Sequence, residues 1–256
     1  MKMTRSATAF TVCAFMALAA SPALAATWTY SGTGPASNSG LSATASAFSA
    51  TNNSTSTITA STAYYGGGLG VTSQGESTSS PQHAVDNNGV IETVMISFSD
   101  GVSGLTSADK VNLTSASFGW SQTDADFSVY AYTGASSTPS PLGISYTNLI
   151  SNGWTLIGHY NNSASSNAKT VSFANTVYSS AWLIGAYNGL TTTSGASSGN
   201  DYFKLASVTG NKCPANSTIP GCGGTPPGNG VPEPATLLLM GVGLLGLTRS
   251  VRRKPV

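Results

Sequence analysis

Phe127-Ser128-Val129-Tyr130-Ala131-Tyr132 is aromatic and alternating, the pattern of a strand that buries one face in a sheet. The same signal recurs outward on both sides. Toward the N-terminus, Val111-Asn112-Leu113-Thr114 alternates and leads to Phe118 and Trp120, Val90 to Phe98 is β-branched and apolar, and Thr55-Ser56-Thr57-Ile58-Thr59 alternates. Toward the C-terminus come Trp154 to Tyr160, Thr170 to Tyr178, Ala181 to Tyr187 and Tyr202 to Val208. Clusters of Gly, Asn, Ser and Pro separate the runs, as in Gly134 to Pro141 and Thr191 to Asn200. Helix signals are almost absent, and no repeat of solenoid length is visible. The expected fold is all-β, one antiparallel β-sandwich or jelly roll over residues 26–210.

The composition fits a body that works outside the cytoplasm. Charged residues make up 7% of the 256, against roughly 25% in an average soluble protein. The formal charge of +1 hides a segregation. Lys2, Arg5, Arg249, Arg252, Arg253 and Lys254 sit at the two ends, which leaves four lysines against eight carboxylates, −4, between them. A weakly acidic body without Arg cannot neutralise phosphates, so nucleic acid is excluded as a partner. Of the three cysteines, Cys13 falls in a segment expected to be removed. Cys213 and Cys222 flank a Pro/Asn/Gly-rich loop and are expected to form a local disulfide in an oxidising compartment.

Both ends read as address labels. Residues 1–25 form a secretory signal peptide: a basic start at Lys2 and Arg5, an apolar run from Ala7 to Ala20, and an Ala23-Leu24-Ala25 cleavage site. Sec export and signal peptidase cleavage then make Ala26 the first mature residue. At the other end, a Pro/Gly linker over 211–230 leads to Val231-Pro232-Glu233-Pro234, an uncharged apolar run from Ala235 to Thr248, and the basic cluster Arg249-Ser250-Val251-Arg252-Arg253-Lys254. As a helix, residues 235–248 reach about 21 Å, short of the ~30 Å hydrocarbon core, so they can dip into the bilayer or span it with thinning and snorkelling of the basic residues. The basic cluster stays in the cytoplasm and the body lies outside. Pro232 and Pro234 hold Glu233 extended near the outer interface.

This three-part tail, residues 231–256, resembles the PEP-CTERM sorting signal of Gram-negative bacteria. The resemblance implies that a membrane protease, the exosortase, recognises the Pro-Glu-Pro element and processes the tail. It also implies a passage through the inner membrane on the way to the cell surface or extracellular matrix. The body resembles a family of exosortase-dependent surface proteins across most of residues 68–208. The match rests on Gly68 to Ser73, Pro81 to Asn87, Glu92 to Phe98, Phe118-Gly119-Trp120 followed by Asp124-Ala125-Asp126, Ala181 to Ala186, and Asp201 to Leu205. That resemblance implies a location and a surface role rather than a reaction.

A search for chemistry finds no catalytic residue set. The mature chain has two histidines. His83 lies in a loop before Asp86, and His159 sits within a strand. No nucleophile elbow, zinc-binding H-E-x-x-H helix or phosphate loop is present. A glycosidase pair drawn from Glu76, Glu92, Asp124 and Asp126 would need a separation of ~5–9 Å. The chain is therefore expected not to be an enzyme and to need no cofactor. The one ligand with a chemical argument is calcium, held by Asp86, Asn87, Asp124 and Asp126, because the two carboxylates of Asp-Ala-Asp repel without a cation. The bland alternative is a pair of Asx turns capping their own backbone.

The expected function is that of a non-catalytic exported surface or extracellular-matrix protein whose partners include the exosortase and extracellular polysaccharide. A carbohydrate-binding or adhesive module is the alternative, with Trp120, Trp154 and Trp182 among the aromatics that could form platforms, although Trp182 sits in an apolar strand and is expected in the core. An ice-binding face built on Thr55, Thr57 and Thr59 and a secreted hydrolase are remoter readings.

Overall fold

The computed structural model describes residues 25–222, apart from 52–54, 78–82, 103–105, 107–108, 163–168, 192–195, 198–199, 215–216 and 218. Residues 1–24, where a signal peptide is expected, and residues 223–256, which hold the rest of the expected linker and the tail with its expected helix over 235–248, lie outside them. Among the described residues no helix is long and apolar enough to cross a membrane.

Among the described residues thirteen strands follow one another: β1 Ala25–Thr29, β2 Ala36–Asn38, β3 Leu41–Thr51, β4 Thr59–Tyr65, β5 Leu69–Thr72, β6 Val85–Asp86, β7 Val90–Ser99, β8 Val111–Thr123, β9 Phe127–Tyr132, β10 Trp154–Tyr160, β11 Lys169–Ser172, β12 Ala181–Ala186 and β13 Asp201–Lys212. The all-β expectation holds, and every strand pairing is antiparallel.

The strands form one hydrogen-bonded path that folds into two layers. The first layer centres on β13, with β1, β5 and β6 along one edge and β8 then β11 on the other. The second runs β10-β9-β12-β7-β3, with β2 and β4 both on the far edge of β3. β4 joins them. Its first residues pair with β3 and its last with β5.

Packing explains the strand patterns. Trp28, Phe118, Phe203 and Val208 of the first layer meet Leu41, Ile96, Phe98, Phe127 and Trp182 of the second in the main core. Trp28 lies edge-on to Phe98 at 4.8 Å between centroids, and Phe118 lies 4.9 Å from Phe127. A second core lies on the outer face of the second layer. Phe48, Ile91, Met95, Tyr130 and Leu183 are covered there by Tyr146, Leu149 and Trp154. Tyr146 and Leu149 belong to the segment carrying the short 3₁₀ turns Tyr146–Asn148 and Ile150–Asn152. Strands β7, β9 and β12 therefore bury both faces, which is why they read as apolar runs rather than clean alternations.

Three expectations need correction. The strand read over Thr55–Thr59 does not form: Thr57 makes an isolated bridge to Ser145 and β4 starts only at Thr59. Buried Ile58 pins this stretch to the outer core instead. The run Thr170–Tyr178 is a strand only as far as Ser172, because Asn175 leaves the ladder and bonds Leu113 and Asn112 through its side chain. Trp154, offered as a platform, is buried, whereas Trp182 lies in the core as its place in an apolar strand leads one to expect. The Trp182 indole N–H donates to the Val111 and Ser179 carbonyls.

The stretch read as a linker from residue 211 is structured at its start. β13 continues to Lys212, and the expected Cys213–Cys222 disulfide is formed, with both cysteines buried. Cys213 N–H donates to the Lys110 carbonyl at 3.0 Å, and the Lys110 ammonium donates to the Gly221 carbonyl at 2.7 Å.

Candidate functional site

The carboxylates singled out from sequence separate into two groups, one on each side of the loop that joins β6 to β7. Asp86 ends β6, where its backbone pairs with Tyr202. It belongs with Glu92 and Glu76, not with Asp124 and Asp126 as the expected calcium set has it. In β7, Glu92 has the parity of Val94, Ile96 and Phe98, so its side chain enters the space between the layers and is 0% exposed. Ser73 Oγ donates to Glu92 Oε1, and the Asp86 N–H donates to Glu92 Oε2 at 3.2 Å. Burial, then repulsion from Asp86 and Glu76, pushes the Glu92 carboxyl up to about 10. Burial likewise raises Asp86 to about 7. Glu92 is thus a neutral acid at neutral pH, fully enclosed between strands.

The second group forms where β8 turns into β9 and meets the start of β13. Asp124 and Asp126 come from the turn, as expected, but the third carboxylate is Asp201, which the sequence reading left out. One oxygen from each lies within 4.8 Å of the others. Asp126 and Asp201 are 0% exposed. Backbone bonds lock the arrangement: Tyr202 N–H to the Asp124 carbonyl at 2.9 Å and Tyr187 N–H to the Asp126 carbonyl at 3.0 Å. Burial pushes Asp201 up to about 8 and raises Asp126 as well.

Asn87 joins this group as expected, in a supporting part. Its amide nitrogen donates to Asp201 Oδ2 and to the Tyr187 carbonyl, and its Oδ1 accepts the Asp201 N–H at 3.0 Å. Both faces of the amide are committed to Asp201 and its neighbours. Asp201 could have been found from its position: it opens a strong strand, as Asp126 does, at the end of a Gly/Ser/Asn loop.

The histidines stand apart from both groups' chemistry. His83 is buried with its ring edge-on to Tyr64 at 4.5 Å. His159 shares a 2.7 Å hydrogen bond with Ser128 and packs on Tyr187. Lys204, 5% exposed, lies between the Tyr64 and Trp120 rings at 5.6 and 5.5 Å and donates to the Gly66 carbonyl. Among the described residues, no lysine is paired with a carboxylate.

A family model described as the PEP-CTERM protein-sorting motif matches residues 230–254. Val231, Pro232, Glu233, Pro234, Arg249, Arg252 and Arg253 all fall inside the match, and all lie outside the described residues. The motif marks the chain as an exosortase-targeted surface protein, exported and sorted to the cell surface. No curated protein matches the chain.

Proposed function

We propose that the chain is a non-catalytic surface module: a β-sandwich delivered by the Sec route, held briefly in the inner membrane by its tail, and released by the exosortase to the cell surface or extracellular matrix. The observation that carries this reading is the PEP-CTERM motif at 230–254, which begins shortly after the disulfide-closed end of the sandwich at Cys222. The last described residues are pinned to the body by the disulfide and by the Lys110–Gly221 bond, so a cut in the tail leaves these contacts intact. The buried neutral Glu92 and the backbone-locked Asp124, Asp126 and Asp201 support a structural use of the acids rather than a catalytic one. The test is Glu233→Ala. Export should continue, while the full-length form accumulates in the inner membrane on an immunoblot. Normal processing of that variant would sink the sorting assignment.

One observation favours a carbohydrate-binding role within the same reading. A polar groove of about 530 Å³ is lined by Tyr132, Tyr178, Thr133, Ser136, Thr176 and Lys110 beside the disulfide loop. Two rings and several hydroxyls are the side-chain types that hold sugars. Retardation of the protein in gels cast with the host's extracellular polysaccharide, lost in Tyr178→Ala, is the expected result. Unretarded migration of the parent protein would remove this role.

A further inference from the structure

We propose that Asp124, Asp126, Asp201 and the side-chain oxygen of Asn162 form a calcium site that ties the β8–β9 turn to the start of β13. The spacing comes first. Ca²⁺ binds oxygen at ~2.3–2.6 Å, so two oxygens on one ion stand at most about 5 Å apart. One oxygen from each of the three carboxylates meets that limit, all lying within 4.8 Å of one another. Mg²⁺ demands a near-ideal octahedron and usually keeps several waters, which suits it less to a buried set of carboxylates and an amide.

The hydrogen bonds orient the carboxylates. Asp124 Oδ1 accepts from Ala125 N–H and Oδ2 from Ser197 Oγ. Asp126 Oδ1 accepts from Asn162 N–H and Oδ2 from Ser197 N–H, both at 2.8 Å. Asp201 Oδ1 accepts from Asp126 N–H and Oδ2 from the Asn87 amide. Each oxygen has a second lone pair, and a neutral donor on the first fixes its direction without neutralising the group. The described lysines bonded to carbonyls, Lys110, Lys204 and Lys212, are engaged at Gly221, Gly66 and Ser39.

Asn162 is the independent observation. It is 1% exposed, and its Oδ1 has no hydrogen-bond partner. Its own N–H is already on Asp126 Oδ1, so covalent geometry keeps the orphan oxygen within about 7 Å of that carboxylate. A buried carbonyl-type oxygen without a donor, on the residue whose N–H holds Asp126, has the chemistry of a hard-cation ligand. Three charges and one amide oxygen suit the ~10⁻⁴–10⁻³ M affinities of extracellular modules. The assignment relies on the export reading only for a supply of the ion. Glu233→Ala protein should respond to calcium like the parent, which keeps the failure of one reading distinct from that of the other.

The full-length chain, purified in detergent and stripped with EGTA, is melted in EGTA, Ca²⁺ or Mg²⁺ and titrated with Tb³⁺. At a hundredfold excess of Ca²⁺ over Kd the midpoint should rise by about 5–10 °C. Mg²⁺ should leave it unchanged. Tb³⁺ emission sensitised by nearby tyrosines should appear and be displaced by Ca²⁺. Asp201→Asn should abolish both responses, and Asn162→Ala should weaken Ca²⁺ binding about tenfold. Should Asp201→Asn fail to fold, the parent titrations and Asn162→Ala decide. Identical melting of the parent in Ca²⁺ and EGTA, an equal response to Mg²⁺, or full Ca²⁺ affinity in Asn162→Ala overturns the site.

Discussion

Replacing Glu92 by Gln should make the domain less sensitive to alkali. Glu92 is fully enclosed and faced by Glu76, Asp86 and the buried Tyr146, with its carboxyl held at about 10 in the fold. In the unfolded chain an ordinary glutamate titrates near 4.3. Because the folded value is the raised one, the folded state holds a proton that the unfolded chain gives up across the whole interval between them. The contribution is fully present below about pH 4 and is lost as pH rises toward 10, at roughly 1.4 kcal/mol per pH unit. From pH 5 to pH 8 the loss is on the order of 4 kcal/mol. For a domain of this size that corresponds to about 10 °C in melting temperature. Gln is neutral at every pH and keeps the main bonds, its oxygen accepting the Asp86 N–H and its nitrogen donating to Ser73 Oγ. Asp86 and Asp201, also raised by burial, titrate in parent and variant alike, so the difference between the two isolates Glu92. The assay is thermal denaturation followed by circular dichroism at half-unit steps of pH in EGTA. The parent's midpoint should fall about 10 °C further than the variant's between pH 5 and pH 8. Parallel curves would refute the enclosed neutral acid.

Two further outcomes follow from the packing. In Gly70→Ala the new methyl would overlap the His83 carbonyl oxygen, a backbone atom that cannot swing away, so a stability loss of about 2–4 kcal/mol by urea denaturation is expected. Cys213→Ser/Cys222→Ser opens a loop whose ends are nine residues apart and should cost about 2–3 kcal/mol. The loss should be global rather than confined to the loop, because both sulfurs are buried and Lys110 bonds Gly221. A midpoint equal to the parent's would show the loop to be a passive appendage.

The addresses and most of the strands are written locally. A basic start, an apolar run and a small-residue cleavage site, or Pro-Glu-Pro, an apolar run and a basic cluster, act through order and spacing that survive without a fold. Strands β7, β9, β10 and β12 are legible for a similar reason: β-branched and aromatic side chains suit a pleated, buried surface wherever it is formed. β3 is not legible in the sequence, because Leu41–Thr51 is mostly Ala, Ser and Thr, small residues that give little apolar contrast. What makes it a central strand is its position between β7 on one side and β2 and β4 on the other.

Of the acidic site, Asp124 and Asp126 could be read as a pair because two residues along an extended segment face one way. Asn87 was read as their companion, but its link runs through Asp201. Asp201 itself stands 75 residues from Asp126 in the chain, and only the closing of β13 against β8 brings it there. The division of Asp86 from Asp124 is likewise settled by the sheet: β6 pairs with β13, so the Asp86 N–H reaches Glu92 while its neighbour Asn87 bonds Asp201. Local sequence determines which groups are available and which way a short segment bends. Which carboxylates meet depends on long-range pairing, and that is decided by burial of Trp28, Phe98, Phe118, Trp182 and Phe203 between two layers, a force that carries no record of the charged residues it draws together.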